Sequence, residues 1–141
     1  MKVQVLNGGK HVDSRGRLDH VNDFDMSEVK RMYLITHIDP SVKRGWRAHK
    51  LEQRWFYVVE GSFEVSLVKI DDWVNPNPDL QLEVYVLSAD KPQVLHVPVG
   101  YATGFKALER DAKFIVYADF GIENAVNDNY QYPSDYFTNW K

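Results

Sequence analysis

Along most of the chain, apolar residues recur at the two-residue period of a half-buried strand, in short runs broken by turn residues. Met32-Tyr33-Leu34-Ile35-Thr36-His37-Ile38, Trp55-Phe56-Tyr57-Val58-Val59, Phe63-Glu64-Val65-Ser66-Leu67-Val68-Lys69-Ile70 and Leu82-Glu83-Val84-Tyr85-Val86-Leu87 are rich in aromatic and β-branched residues, which suit a pleated, packed backbone. Phe63, Val65 and Leu67 alternate with Glu64 and Ser66, so one face of that strand is expected on a core and the other towards water. Val94–Val97 and Lys113–Tyr117 read as further strands. Glu60-Gly61-Ser62 separates two of the runs and predicts a tight turn. Asp71–Leu80 contains Asn75-Pro76-Asn77-Pro78. Proline gives no N–H to a ladder, so this stretch is expected to be a surface loop. A single helical turn is expected over Asp25–Lys30, capped by Ser27. There is no internal repeat, low-complexity tract or linker. Many short strands with turn signals between them predict a sandwich or barrel.

Composition narrows the function classes. A chain of 141 residues is expected to form one domain spanning 1–141. Lys and Arg number 17 against 20 Asp and Glu, a net charge of -3, which leaves no electrostatic footprint for nucleic acid or an anionic membrane. The absence of cysteine excludes disulfides, thiol nucleophiles and thiolate metal sites. No apolar run approaches the ~20 residues of a membrane span, and Met1-Lys2-Val3-Gln4 does not open a signal peptide. A cytoplasmic protein is expected. From Asn124 to Trp140 the chain holds Tyr130, Tyr132, Tyr136, Phe137 and Trp140 with few aliphatic residues. This tail is expected to wrap the sandwich and cover an edge; the alternative is that one of its tyrosines enters a site.

The densest candidate chemistry is Lys43-Arg44-Gly45-Trp46-Arg47-Ala48-His49-Lys50, followed by Arg54. In an extended segment Arg47 and His49 share a face, so they enter a cavity together or lie together on a solvated basic loop. Arg54 begins an apolar run and belongs near the sheet. A buried arginine requires an anionic partner, either a carboxylate or a substrate phosphate. In Val97-Pro98-Val99-Gly100-Tyr101-Ala102-Thr103-Gly104-Phe105 the proline and first glycine mark a sharp turn that aims Tyr101 and Thr103 together. Asp13-Ser14-Arg15-Gly16-Arg17-Leu18-Asp19-His20 reads as a turn entering an early strand. Among the other histidines, His96 is expected to be hydrogen-bonded at the core or rim, His37 structural, His11 solvated, and His20 near an entrance.

Taken together, Asp13-x-Arg15-Gly16, Arg44-Gly45-x-x-x-His49 and Pro98-x-Gly100-x-x-x-Gly104-Phe105 resemble, in order and spacing, the sugar-nucleotide cupins. Two branches are relevant: the dTDP-4-dehydrorhamnose 3,5-epimerases and the dTDP-4-keto-6-deoxyglucose 3,4-ketoisomerases. The resemblance spans roughly residues 10–120. It implies an all-β, double-stranded β-helix (jelly roll), usually a homodimer and often with an N-terminal strand exchanged between subunits. Arg44 matches an arginine that anchors substrate in the epimerases. Arg47 stands where both branches usually have histidine. His49 matches the second histidine of the ketoisomerases' His-x-His, where the epimerases have glutamine. Arg54 corresponds to an epimerase lysine near the sugar. Thr103 replaces the histidine of Pro-x-Gly-x-x-His, and Leu18 and His20 stand where the epimerases have phenylalanine and glutamate. Asp119-Phe120 falls near their Asp-Tyr region. Metal-binding cupins resemble this fold but use two His and a Glu from the first motif and a His from the second. Arg47, His49, Arg54 and Thr103 do not make such a set, so neither a metal nor another cofactor is expected.

The resemblance implies an isomerase or epimerase acting on a nucleotide-linked, dTDP-type 4-keto-6-deoxyhexose through an enolate or enediol. In that chemistry a base removes a proton next to the ketone while a cation stabilises the oxygen. His49 is the expected base. Arg47 and Arg54 are expected to stabilise the enolate, and Arg44 and Arg15 to bind the diphosphate bidentately. His20, Tyr101 and Thr103 are expected around the substrate, with tyrosines and Trp46 stacking on nucleoside or sugar. The alternatives are a non-catalytic sugar-nucleotide-binding cupin and an unrelated small-molecule cupin.

Overall fold

The computed structural model describes every residue, Met1–Lys141. Its elements are β1 (Gln4–Asn7), β2 (Gly9–Asp13), β3 (Gly16–His20), β4 (Arg31–His37), β5 (Lys43–His49), β6 (Arg54–Glu60), β7 (Ser62–Lys69), β8 (Glu83–Ser88), β9 (Gln93–Val97), β10 (Tyr101–Ala107), β11 (Ala112–Ala118), α1 (Ile122–Ala125), a 3-10 turn (Val126–Asp128) and β12 (Tyr130–Gln131). Two five-stranded sheets, ordered β1-β9-β6-β11-β4 and β12-β5-β10-β7-β8, carry the fold, and β2 and β3 pair only with each other. Every pairing is antiparallel. No helix is long and apolar enough to cross a membrane.

The strand alternation predicted from sequence sets up an inner core. Phe56 and Val58 of β6, Phe63, Val65 and Leu67 of β7, Phe105 of β10 and Phe114 and Val116 of β11 turn inward and pack together. Phe105 stacks on Phe114 at 4.5 Å between centroids, and Phe56 meets Phe105 edge-on at 5.0 Å. A second core lies on the outer face of the β5-β10-β7 sheet. Trp46, Ala48, Val68, Ile70 and Ala102 point away from the first core and are covered by Phe137 and Trp140 of the tail. That cover explains why β7 is buried on both faces along most of its length.

Two sequence expectations change. Asp25–Lys30 is not helical. The Asp25 carboxylate accepts the Ser27 N–H at 2.9 Å, and Lys30 N–H turns away to the carbonyl of Ala118, so the segment forms turns instead. Trp46 stacks on no ligand: it is fully buried outside the inner face, 5.0 Å from Phe137 and 4.7 Å from Trp140. Gly45 and Gly104 make room for this cluster, since a Cβ at either would stand 2.7 or 3.1 Å from the Trp140 ring.

His37 ends β4 inside the barrel. It is 1% exposed, has edge contacts to Phe63 and Phe114, and has no partner for either ring nitrogen. Burial, with the Arg44 charge adding to it, holds its pKa below the usual 6.5. The unfolded chain therefore takes up a proton at this residue that the folded chain refuses. Its contribution is complete above the unfolded pKa and is lost as pH falls below about 6.5, at about 1.4 kcal/mol per unit of pKa difference. His37→Phe should narrow the stability loss between pH 7.5 and pH 5 in urea titrations; an unchanged loss would show that His37 does not carry it.

Candidate active site

β5 supplies most of the site, and an irregularity in its pairing decides how. Arg47 lies opposite Thr103 of β10 and Arg44 opposite Phe105, so Gly45 and Trp46 together face the single residue Gly104. A bulge of this kind reverses which face the following residues occupy. Without it Arg44 and Arg47, three apart, would point to opposite sides. With it, Arg44, Arg47 and His49 all line one cavity of about 700 Å³, while Trp46 and Ala48 go to the outer core. The facing sheet contributes Arg31, Tyr33, Ile35 and Arg54, and β10 contributes Thr103 and Phe105. Ile122, Ala125, Val126 and Asn129 of the tail complete the lining. Met32, Ile122 and Val126 are exposed and give the opening an apolar lip.

Glu52 neutralises part of this positive charge. It is 2% exposed, accepts from Arg54 Nε at 2.5 Å and from Arg31 at 3.1 Å, and lies 3.7 Å from His49 Nδ1. The carboxylate that a buried Arg54 requires is thus two residues before it. Tyr33 sits within reach of both guanidiniums, with Arg31 5.6 Å and Arg54 5.8 Å from its ring centre. Arg44 and Arg47 also line the cavity but join none of the chain's ion pairs. Two uncompensated guanidiniums in one cavity fit an anionic ligand.

His49 is buried, and its Nδ1 lies 2.6 Å from the carbonyl oxygen of Asp128. A carbonyl only accepts, so Nδ1 carries the hydrogen and the neutral ring has its lone pair on Nε2. Nε2 is buried with no protein partner. Burial first, then the charges of Arg54 and Arg31, lower the His49 pKa to about 4 against the opposing pull of Asp128. At neutral pH the imidazole is therefore unprotonated and able to accept a proton. It is the only imidazole lining the cavity, and no cluster of three His, Cys, Asp or Glu is placed to hold a metal ion.

Of the residues singled out in the sequence, Arg44, Arg47, His49, Arg54 and Thr103 meet in this cavity, whereas Arg15, His20 and Tyr101 do not. Arg15 projects from the β2-β3 hairpin, paired with Asp13 at 2.7 Å and largely exposed. His20 borders a separate groove with Phe24, Tyr57 and Tyr117. Tyr101 packs on the inner core. None of the tail tyrosines lines the cavity; Tyr130, Tyr132 and Tyr136 pack against the outer core. Sequence reasoning missed Arg31, Tyr33, Glu52 and Asp128. Tyr33 carried a signal, since it lies in a predicted strand; Arg31 stands just before that run and joins β4 only in the structure.

The family model described as "FdtA: WxcM-like, C-terminal" matches residues 1–140. No curated protein matches the sequence. Among solved structures, a 3,4-ketoisomerase from Helicobacter canadensis superposes with a TM-score of 0.71 at 22% identity, covering 98% of this chain and 96% of that one. A TDP-quinovose 3,4-ketoisomerase from Campylobacter jejuni gives 0.69 at 23% identity over 97% and 98%. A 3'-monoepimerase from Streptomyces bikiniensis, solved with dTDP, gives 0.78 at 15% identity over 99% of this chain and 74% of that one. These likenesses show the fold: the all-β cupin architecture that the sequence resemblance implies.

The buried cluster yields a stability prediction. Glu52→Ala leaves Arg54, and in part Arg31, without a counter-charge, a change that costs about 3–5 kcal/mol when one member of a buried pair is removed. Urea denaturation should show a loss in that range, and a loss below about 1 kcal/mol would mean that water already screens the cluster as it does a surface pair.

Proposed function

The chain belongs to the FdtA (WxcM-like, C-terminal) family, and from that membership and the cavity we propose that it isomerises a nucleotide-linked 4-keto-6-deoxyhexose, of the dTDP type, with His49 as the base. The observation that carries this reading is the His49 ring, whose Nδ1–H is committed to the Asp128 carbonyl and whose Nε2 is unpartnered in a cavity lined by four guanidiniums. A C–H bond beside a ketone is acidic enough for such a base when a cation meets the developing oxyanion. Arg47 neighbours His49 on the strand face and Arg54 approaches from the opposite sheet, and both serve the oxyanion. Arg44 holds the diphosphate, whose negative charge also opposes the cations that depress His49 basicity. Thr103, beside Arg47 in register, contacts the sugar.

In this reaction His49 Nε2 takes the proton from C3, and the C–H electron pair forms the C3–C4 double bond as the C4 oxygen gains charge. The hydroxyl proton passes from O3 to O4, a transfer we assign to the phenol of Tyr33 in the cavity lining. The His49 imidazolium returns its proton to C4, leaving the ketone at C3. A single cavity imidazole favours this 3,4-shift over 3,5-epimerisation, which returns protons on the face opposite to their removal. The donor set calls for no metal, since one imidazole and guanidiniums are poor ligands for a divalent cation. The second reading is a sugar-nucleotide binder without turnover, and it is favoured by one observation: an arginine, Arg47, occupies the position where the resembling enzymes have histidine.

With a dTDP-4-keto-6-deoxyhexose in heavy water, deuterium should enter next to the ketone as the carbonyl migrates. His49→Asn should abolish exchange while calorimetry still detects dTDP binding. Label at C5 would establish epimerisation instead, and tight binding with neither exchange nor migration of the carbonyl over hours would leave only the binder.

We also propose a homodimer in which the β2-β3 hairpin lies against the partner and carries Arg15 to the partner's nucleotide. The support is a hairpin that pairs with neither main sheet and an outer sheet face on which Leu34 and Val59 are exposed. Light scattering at micromolar concentration should give twice the 16.4 kDa chain mass. A monomer would remove Arg15 from the site.

A further inference from the structure

Three consecutive backbone N–H groups, those of Lys50, Leu51 and Glu52, donate to the carboxylate of Asp128 at 2.8, 2.9 and 2.8 Å. The carbonyl of the same residue receives the Nδ1–H of His49 at 2.6 Å. Asp128 itself is 2% exposed and closes the 3-10 turn of the tail. Its carboxylate meets no cation within ion-pair distance, so the three amide donors are its compensation for burial. All four bonds reach the single stretch 49–52, which contains the proposed base and the carboxylate that pairs with Arg31 and Arg54.

We propose that Asp128 is the positioning residue of the site: its carbonyl sets the ring rotation and tautomer of His49, and its carboxylate fixes the turn that delivers Glu52 to Arg31 and Arg54. A histidine with a free Nδ1 distributes its proton between two nitrogens and its ring between rotamers. A backbone acceptor opposite Nδ1 removes both freedoms and leaves the lone pair on Nε2. Asp128 is not itself among the residues that line the cavity, so it acts through His49. The groups facing the ring are Glu52 at 3.7 Å, Arg54 and Arg31 from the opposite sheet, Arg47 on its own strand, and Asp128. Among them Asp128 alone has an acceptor within hydrogen-bond distance of Nδ1. Its effect on turnover rests on the proposed function; the tautomer and the turn do not.

The experiment is nitrogen-15 NMR of the histidine side chains in the full chain, combined with the heavy-water exchange assay. In the wild type, His49 should show a protonated Nδ1 and an unprotonated Nε2 at pH 7. Asp128→Ala keeps the backbone carbonyl but removes the carboxylate whose three amide bonds hold that carbonyl against the ring, so it should convert this to a tautomer mixture and lower exchange on the order of 10-fold to 100-fold, the range for loss of a histidine's orienting partner, with dTDP affinity little changed. Asp128→Asn keeps one side-chain acceptor oxygen for the turn at 50–52 as well as the backbone carbonyl, and should retain the Nδ1–H signature and most of the rate. A wild-type His49 protonated on Nε2 would overturn the proposal whatever the variants do, as would an Asp128→Ala protein with unchanged tautomer. Should Asp128→Ala fail to fold, the wild-type tautomer and the Asn variant decide. If the wild type exchanges nothing, the proposed reaction falls, and the tautomer still tests the positioning.

Discussion

Between Arg44 and Arg47, β5 sets two residues, Gly45 and Trp46, against the single Gly104 of β10, and the rest of the site follows from that excess of one. A strand alternates its side chains strictly, so a regular β5 would send either Arg44 or the Arg47–His49 pair out of the cavity. The bulge brings all three to one side and in the same step directs Trp46 to the other. Glycine at 45 and at 104 is part of the device, because the Trp46 and Trp140 rings fill the space where a Cβ would stand.

That division gives the tail its role. Trp46 and Ala48, facing away from the inner core, need cover, and Phe137 and Trp140 supply it. β12 pairs with the same strand, setting Tyr130 against Ala48 and Gln131 against Arg47. The segment that seals the outer core therefore begins where α1 and the 3-10 turn close the cavity. Opposite this wall the charges fall into two sets. Glu52 compensates Arg31 and Arg54 beside His49, and Arg44 and Arg47 have no carboxylate partner.

The strands were largely legible because their apolar period is a local property, read within six or eight residues. The shared face of Arg47 and His49 was legible for the same reason. Placing Arg44 beside them by spacing alone was not, since a bulge is a property of two paired strands and appears in neither sequence separately. β4 inverts the usual pattern: Arg31 and Tyr33 turn inward to a polar cavity while Met32 and Leu34 are exposed, so a rule that sends apolar residues to the core assigns its faces backwards. Glu52 and Asp128 sit in Lys50-Leu51-Glu52-Gln53 and Val126-Asn127-Asp128-Asn129, ordinary polar stretches whose importance arises only when the tail meets the end of β5. The helical turn expected near Ser27 failed because the Lys30 amide, which would bond back to Met26 in a helix, goes to the carbonyl of Ala118.

The bonds from Asp128 to residues 49–52 join positions 76 to 79 apart in the chain, whereas the β6–β7 and β2–β3 turns close over a few residues. Pairings between β4 and β11 span a comparable distance along the chain, so the tail is set apart not by loop length but by where it packs. The inner core contains no residue beyond Val116, so its packing is independent of the tail. Partial opening of the native state is therefore expected to begin with release of the last twenty or so residues. The geometry around His49 is then the first thing lost, and the population of molecules that hold it is governed by the docking equilibrium of the tail rather than by the global stability of the barrel.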